Sequence, residues 1–534
     1  MPTVEIYDTT LRDGTQGLDF NLTAEDKVAI AKRLDAFGVD FIEGGWPGSN
    51  PKDMRFFELM KHEKLAFSRL AAFGSTRHKR NKPEDDPNLA ALLEADTPVV
   101  TIFGKTWDLH VTEALGATLD ENLAMIRDSV AYLKSQGKLV IYDAEHFFDG
   151  YKADADYALK TLWAAVDGGA ARLVLCDTNG GSLPGFVAER VREVIETFDV
   201  PVGVHTHNDA ELGVANALAG VEAGAVHVQG TMNGYGERCG NANLVSIIAN
   251  LVLKLGLEQP QDLSKLRDLS HYIDERANMQ PNLRAAYVSD AAFAHKGGIH
   301  VSAVNKNPET YEHVPPESVG NTRRILLSDL SGRANVLAKA GEYGQDVDAG
   351  DPAVRQIVDR MKELENRGYA FEGAEASFQL MSQKVRGDYQ AYFTLHGFNI
   401  NITKRDEDPA PRAEATIKVE VGGELEHTAA DGDGPVNALD KALRKALVRF
   451  YPSLEQLELT DYKVRVLSGA ETGTGSVVRV QVETTDGEDT WGTVGASFDI
   501  INASYEALID AIEYKLFKGQ VKPKRKGALP TKQA

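Results

Sequence analysis

Residues 4–255 alternate, eight times over, a short apolar run with a helix-forming segment. The runs are Val4–Tyr7, Phe41–Glu43, Leu70–Phe73, Val99–Phe103, Leu139–Tyr142, Leu173–Cys176, Val202–His205 and Val226–Gln229. Runs this short, rich in aliphatic and aromatic residues, read as strands. The segments between them carry helix signals. Thr23-Ala24-Glu25-Asp26 is a capping box with Asp in the usual Glu or Gln place. Another helix runs from about Thr118 to Gln136, where Gly137 stops it. Leu183–Thr197 and Leu212–Ala223 are two more. Eight strand-then-helix units in about 250 residues predict a (β/α)8 (TIM) barrel, with an open doubly wound sheet as the alternative.

The alternation stops near Pro260. Up to about Arg386 the chain reads as mainly helical, clearest at Leu263–Met279 and Pro352–Asn366, with a loop at Ala294–His300. From Ala391 strands return: Ala415–Val421, Val464–Leu467 and Ser476–Glu483 alternate, and Pro409-Ala410-Pro411 breaks the pattern. Two helices, Pro435–Phe450 and Asn502–Leu516, share the spacing Asn-Ala-x-x-x-Ala-Leu. This points to a duplication: two strand-rich halves, each closed by a helix. The expected layout is a barrel over 1–258, a helical subdomain over 259–390, an α+β domain over 391–518 and a basic tail over 519–534. The tail's Lys522–Lys526 run is short, and the whole chain has 79 acidic against 58 basic residues, a formal net charge of −21. Such a chain repels phosphate backbones, which argues against a nucleic-acid partner. No apolar run reaches the ~20 residues that span a bilayer. The start at Met1–Glu5 lacks a basic segment followed by an apolar core, and there are two cysteines. A cytoplasmic protein without a disulfide framework or membrane anchor is expected.

In a (β/α)8 barrel chemistry collects at the C-terminal strand ends. The ionisable residues obey that rule: Asp8, Arg12 and Asp13 after strand 1, Glu43 on strand 2, Asp143 and Glu145 after strand 5, Asp177 after strand 6, His205 and His207 at strand 7, Glu237 and Arg238 after strand 8. His205 and His207, two apart on a strand, leave on one side. Alone, such a pair either bonds locally or ligates a metal. Asp13 completes a His–His–carboxylate face of the kind that leaves metal positions open for a substrate. Arg12, otherwise half of a surface ion pair, then serves as a fixed cation for a developing oxyanion.

Leu11-Arg12-Asp13-Gly14-x-Gln16, followed by Lys27, resembles the first signature of the α-isopropylmalate, homocitrate and citramalate synthases. His205-x-His207-Asn208-Asp209 resembles their second, and Gly234-x-Gly236-Glu237-Arg238-x-Gly240-Asn241 their strand-8 loop. The resemblance runs on through the helical subdomain and the C-terminal part, which is similar to the family's allosteric domain. It implies a homodimer that condenses acetyl-CoA with an α-keto acid and hydrolyses the thioester. A divalent ion (Mg2+, Mn2+ or Zn2+) is implied on Asp13, His205 and His207, with Asn241 a further ligand. Arg12, Gln16 and Thr178 are implied at the keto acid, and Arg12, Glu145, His300 and Tyr311 in catalysis. Two positions depart from the common pattern: Thr15, where many isopropylmalate synthases have Glu, and Glu211, where the second signature has Gly. Thr15 and the run Glu43–Pro51 are similar to the pyruvate-using, citramalate branch, for which isoleucine is the implied effector. A 2-isopropylmalate synthase using 2-oxoisovalerate is the first alternative, a homocitrate synthase the next. A retro-Claisen lyase of the 3-hydroxy-3-methylglutaryl-CoA type would lack the C-terminal domain. A catalytically inactive amino-acid-binding regulator would have no use for an intact Arg12, Asp13, His205 and His207.

Overall fold

Every one of the eight runs is a strand: β1 (Glu5–Asp8), β2 (Phe41–Glu43), β3 (Arg69–Ser75), β4 (Val99–Lys105), β5 (Leu139–Glu145), β6 (Arg172–Asp177), β7 (Val202–Thr206) and β8 (His227–Gly230). In this computed structural model, which describes residues 3–328, 331–342, 350–406, 410–467 and 475–522, they pair in sequence order, all parallel. β1 closes on β8, with Glu5 opposite His227 and Asp8 opposite Gly230, so the sheet is a closed barrel and the open alternative falls.

Strand parity builds the site. Tyr7, Phe41, Ala71, Val99, Ile141 and Val174 face inward and pack on one another. Their neighbours Ile6, Ile42, Ala72, Val100, Val140 and Leu173 face outward, into the apolar layer beneath the helices. Two residues further along each strand the inward face carries Thr9, Glu43, Phe73, Thr101, Asp143, Cys176, His205 and Gln229, all buried. The barrel interior therefore ends, at its C-terminal mouth, in a polar layer. At the opposite end Glu5 accepts both fork hydrogens of Arg172 at 2.5 Å and faces His227 Nδ1 at 3.1 Å. Burial raises the Glu5 carboxyl, but these hydrogen bonds and charges overcome it and bring the pKa down to about 2.

The helix signals hold. Thr23 and Asp26 cap the helix Ala24–Phe37 reciprocally, and Thr118 and Glu121 do the same for Leu119–Ser135. The helix Leu266–Arg276 also belongs to the barrel unit, which comprises residues 1–293 and 312–324.

Residues 294–311 and 325–534 form a second compact unit. Helices Arg333–Glu342, Pro352–Asn366 and Glu375–Arg386 share a core containing Val336, Ile357, Met361 and Phe378. Two three-stranded antiparallel sheets follow: Thr394–Thr403, Arg412–Val421 and Glu424–Gly432, then Glu458–Val466, Val478–Thr485 and Thr490–Ser497. The helices Pro435–Val448 and Ile500–Lys518 each follow one sheet, which makes the duplication read from the helix spacing a structural one. In the first half Ala415, Ile417, Val419 and Val421 are buried in one core with Ala438, Leu439, Ala442 and Leu443 of the helix. The basic tail lies outside the described residues from 523 on, as does Pro409. Among the described residues no helix is long and apolar enough to cross a membrane.

Candidate active site

Asp13, His205 and His207 converge at the mouth of the barrel, all buried, with one ligand atom from each inside a 4.8 Å sphere of mutual distance. His205 Nε2 stands 3.2 Å from His207 Nε2 and 3.4 Å from Asp13 Oδ2, and His207 Nε2 is 3.8 Å from the same oxygen. His205 owes its orientation to β8. Its Nδ1 lies 3.0 Å from Gln229 Oε1, and Gln229 Nε2 donates at 3.0 Å to Asp143 Oδ1. Because the amide oxygen can only accept, Nδ1 carries the proton and Nε2 presents a lone pair to the trio. Burial and the neighbouring His205 push His207 down to about 4, which keeps it neutral. Burial also opposes charge on His205, but Asp13 reverses the balance and raises it. Burial alone would raise Asp13; Arg12 and the two imidazoles hold it far below the usual carboxylate range. Two buried imidazoles and a carboxylate are the donor set that a divalent ion takes. Asn241, on a backbone bridge to His207, adds a buried amide oxygen that has no hydrogen-bond partner among the described residues. We expect Gln229→Leu to weaken metal binding by roughly 10- to 100-fold, the usual cost of removing a ligand's supporting hydrogen bond. A titration showing unchanged affinity would remove Gln229 from the site.

Arg12 is not half of a surface pair. Its side chain is nine-tenths buried, with Nε donating to Glu43 Oε1 at 2.6 Å and Nη1 lying 3.0 Å from Asp13 Oδ1. The guanidinium carbon stands 3.6 Å over the Phe73 ring. Glu43 is saturated: it also takes the hydroxyls of Tyr7 and Thr9, each at 2.5 Å. Phe73 stacks on Phe103, and Trp46 stands edge-on to both. Lys27 of the first signature is wholly buried and donates to Gly44 O and Asp53 Oδ1. Asp53 Oδ2 in turn accepts the Trp46 amide at 2.9 Å. Gly45, at φ +155°, lets this loop pass against Asp53, where a Cβ would lie 2.4 Å from the carboxyl carbon.

On the far side of the mouth Glu145 pairs with Lys105 of β4, not with His146, whose Nδ1 lies 3.3 Å from Asp149. The His146 amide donates to Thr178 Oγ1 at 2.9 Å, so the hydroxyl keeps its own proton to give. The histidine signature and the strand-8 loop are bolted together. Asp209 accepts Arg238 at 2.7 and 3.0 Å, Arg238 also donates to Thr178 O, and the Asn208 amide donates to Gly240 O. The glycines of the strand-8 loop are conformational: Gly234, Gly236 and Gly240 have φ of +73°, +153° and +91°, and a Cβ on Gly240 would meet Gly234 O at 2.0 Å. Glu211 sits at φ +58°, a non-glycine residue in the left-handed region. Gln16 is exposed on the turn Gly14–Gln16, and Thr15 donates to Arg12 O at 2.6 Å. Asn233 turns away, to Ser270 and Asp274. His300 and Tyr311 belong to the second unit, where their rings stack at 4.2 Å.

Sequence reading left Gln229, Asp143, Phe73 and Trp46 without roles and Lys105 unmentioned. The inward parity of each strand was the available signal for Gln229, Asp143 and Phe73; nothing local marked Lys105.

Comparison with known proteins shows the family. Residues 3–273 match the HMGL-like family model, 287–369 the homocitrate synthase post-HMGL domain-like model, and 372–516 the LeuA allosteric (dimerisation) domain. A protein of Geobacter sulfurreducens named (R)-citramalate synthase is 56% identical over 97% of this chain and 99% of its own. One of Aquifex aeolicus with the same name is 52% identical over 97% and 98%. A probable 2-isopropylmalate synthase of Methanopyrus kandleri is 33% identical over 95% and 97%. The chain thus belongs to the HMGL-like family of barrel enzymes and, within it, to the (R)-citramalate synthases, acyltransferase-type condensing enzymes.

Proposed function

We propose that this chain condenses acetyl-CoA with pyruvate and hydrolyses the thioester, releasing (R)-citramalate and CoA. The observation that carries the reading is the buried Asp13–His205–His207 face beside an Arg12 already fixed by Glu43 and Phe73. A divalent ion on Asp13, His205 and His207, with Asn241 as a further ligand, would act as a Lewis acid on the keto-acid carbonyl. Arg12 meets the negative charge that grows on that oxygen as the acetyl methyl carbon bonds to C2. Thr178, its oxygen held by the His146 amide, donates its proton to the keto-acid carboxylate. Gln16, on the turn after Asp13, is assigned to the same substrate. Glu145, tied to Lys105, supplies the rim carboxylate for turnover. His300 and Tyr311, packed ring on ring, are proposed as further catalytic residues.

Pyruvate is favoured because the run Glu43–Pro51 delivers Trp46 to the Phe73–Phe103 pair, a cluster of three aromatic rings of which Phe73 carries the Arg12 guanidinium. A pocket discriminates by roughly 10- to 200-fold per methylene. Free CoA measured with pyruvate, 2-oxobutyrate, 2-oxoisovalerate and 2-oxoglutarate should show the highest kcat/KM for pyruvate. A preference for 2-oxoisovalerate would replace this reading by the isopropylmalate one.

The match of 372–516 to an allosteric dimerisation domain supports a homodimer with amino-acid feedback. With pyruvate as acceptor the effector is proposed to be isoleucine, coupled to the active site by ~1–3 kcal/mol. Titrating isoleucine and leucine against the full-length enzyme should give inhibition by isoleucine at the lower concentration; stronger inhibition by leucine would reverse the assignment.

A further inference from the structure

The segments that follow β4, β5 and β6 meet around one strained residue. His146, the first after β5, has φ +56° and ψ +34°, in the left-handed region that side chains rarely enter. Both of its backbone groups are committed there. Its amide donates to Thr178 Oγ1 at 2.9 Å, and its carbonyl accepts the Gly150 amide at 2.8 Å, in the first turn of the helix Phe147–Ala153. Strain of this kind persists only where the surroundings impose it. We propose that His146 is a positioning residue: its backbone amide, locked in place by Asp149, aims the Thr178 hydroxyl at the keto-acid carboxylate. The inference rests on the role given to Thr178 above.

The lock closes from three sides. Asp149 Oδ2 faces His146 Nδ1 at 3.3 Å and accepts Asn179 Nδ2 at 2.9 Å. One carboxylate oxygen therefore joins His146 to the residue that follows Thr178. Burial opposes a charge on Asp149, but His146, Lys152 and Asn179 outweigh it and bring the carboxyl below its ordinary value. From the β4 side the His110 ring stands edge-on to His146 at 4.3 Å, and Trp107 stacks on His110 at 5.2 Å. The helix itself is seated against the same segment. Phe147 and Phe148 are fully buried, and a Cβ on Gly150 would lie 2.6 Å from Thr106 O.

What the lock delivers is direction. A hydroxyl has one proton and two lone pairs. The His146 amide occupies a lone pair, which fixes the oxygen and leaves the proton for an anion. The Thr178 backbone is fixed as well. Its carbonyl accepts Arg238 Nη2 at 2.7 Å, and the carbonyl of Asp177, one residue earlier, accepts the His207 amide at 3.3 Å. The hydroxyl is thus tied through one peptide unit to a histidine of the metal face. The imidazole of His146 serves as the handle by which Asp149 and His110 hold the amide.

Two substitutions at this position separate the amide from the ring. Asparagine, like histidine, is among the residues that enter the left-handed region; alanine is not. Each constant is read for the keto acid that the parent uses best, so a change of acceptor leaves the test in force. His146→Ala should raise the KM for that keto acid roughly tenfold, as the strained backbone relaxes and the amide leaves Thr178. kcat and the KM for acetyl-CoA should change little, because a contact to the carboxylate is made equally before and during the reaction. His146→Asn should stay within about threefold of the parent. Asp149→Ala should follow His146→Ala. Thr178→Val, which removes the hydroxyl and keeps the shape, should raise the same KM, and adding His146→Ala to it should raise it no further, because both act through one hydroxyl. Equal losses in the alanine and asparagine variants, or additive losses in the double variant, overturn the proposal. A parent-like His146→Ala beside a raised KM in Thr178→Val also overturns it and leaves the role of Thr178 standing. A parent-like Thr178→Val removes that role and the proposal with it.

Discussion

Asp13→Asn is expected to fold as the parent does, to lose its divalent ion on desalting, and to turn over at least ~10²-fold more slowly, since Lewis-acid assistance amounts to several kcal/mol. The substitution keeps the size of the side chain and removes the only anion of the trio. Its two oxygens do different work: Oδ1 faces Arg12 at 3.0 Å and Oδ2 faces both imidazoles at 3.4 and 3.8 Å. Asparagine leaves Arg12 with Glu43 alone, so the guanidinium stays in place while the metal face becomes neutral. His207→Ala should match it in metal loss while leaving the Arg12 contacts intact. Its imidazole belongs to the trio, and among the described residues its Nδ1 has no hydrogen-bond partner, so its removal breaks no supporting network. Metal content by atomic emission, CoA release and the melting temperature, read together, decide the matter. Near-parental activity of either variant in metal-stripped buffer would mean that the metal site is misassigned.

The barrel was legible because its units repeat the same physics: an apolar run buried on both faces, then a helix, some of them capped and stopped as Ala24–Phe37 is by Thr23 and Gly38 and Ala155–Gly168 by Asp154 and Gly169. The rim histidines and Asp13 were legible for the same reason, since strand ends are where a barrel places its chemistry. Less legible was everything that depends on contacts between strands distant in sequence. That Glu43 holds Arg12, Tyr7 and Thr9 at once follows from β1 and β2 lying side by side, and no spacing within either segment shows it. The brace from Lys27 through Asp53 to the Trp46 amide joins residues 26 and 7 positions apart. Glu145 illustrates the converse. Adjacency in sequence does not make His146 its partner: Glu145 meets Lys105 directly opposite on β4, while His146, at φ +56°, turns to Asp149. Glu211 and the strand-8 glycines were visible as letters, but their meaning is a backbone angle, which only the folded loop displays.

Arg12→Lys is expected to lower kcat by roughly 10²-fold or more, the effect of losing a well-placed oxyanion donor. Charge is conserved in this change, so a simple ion-pair role predicts little loss. The geometry predicts a large one. The guanidinium uses Nε for Glu43, Nη1 for Asp13 and its flat face for the Phe73 ring, which fixes the rest of the fork in direction. An ammonium on a flexible stem can meet Glu43 or Asp13, has no plane to lay on Phe73, and reaches the mouth with no set direction. Where the ammonium turns to Asp13 instead, Glu43, which takes two hydroxyls besides Arg12, sits wholly buried without its cation. Preorganisation is therefore lost twice, in the donor and in its support. Because the charge on the keto-acid oxygen grows only as the new carbon–carbon bond forms, the loss belongs in kcat, with the KM for pyruvate changing little. Steady-state kinetics with saturating acetyl-CoA separates the two constants. A large rise in KM with kcat unaltered would make Arg12 a substrate-binding residue and move the stabilisation of that charge elsewhere in the mouth.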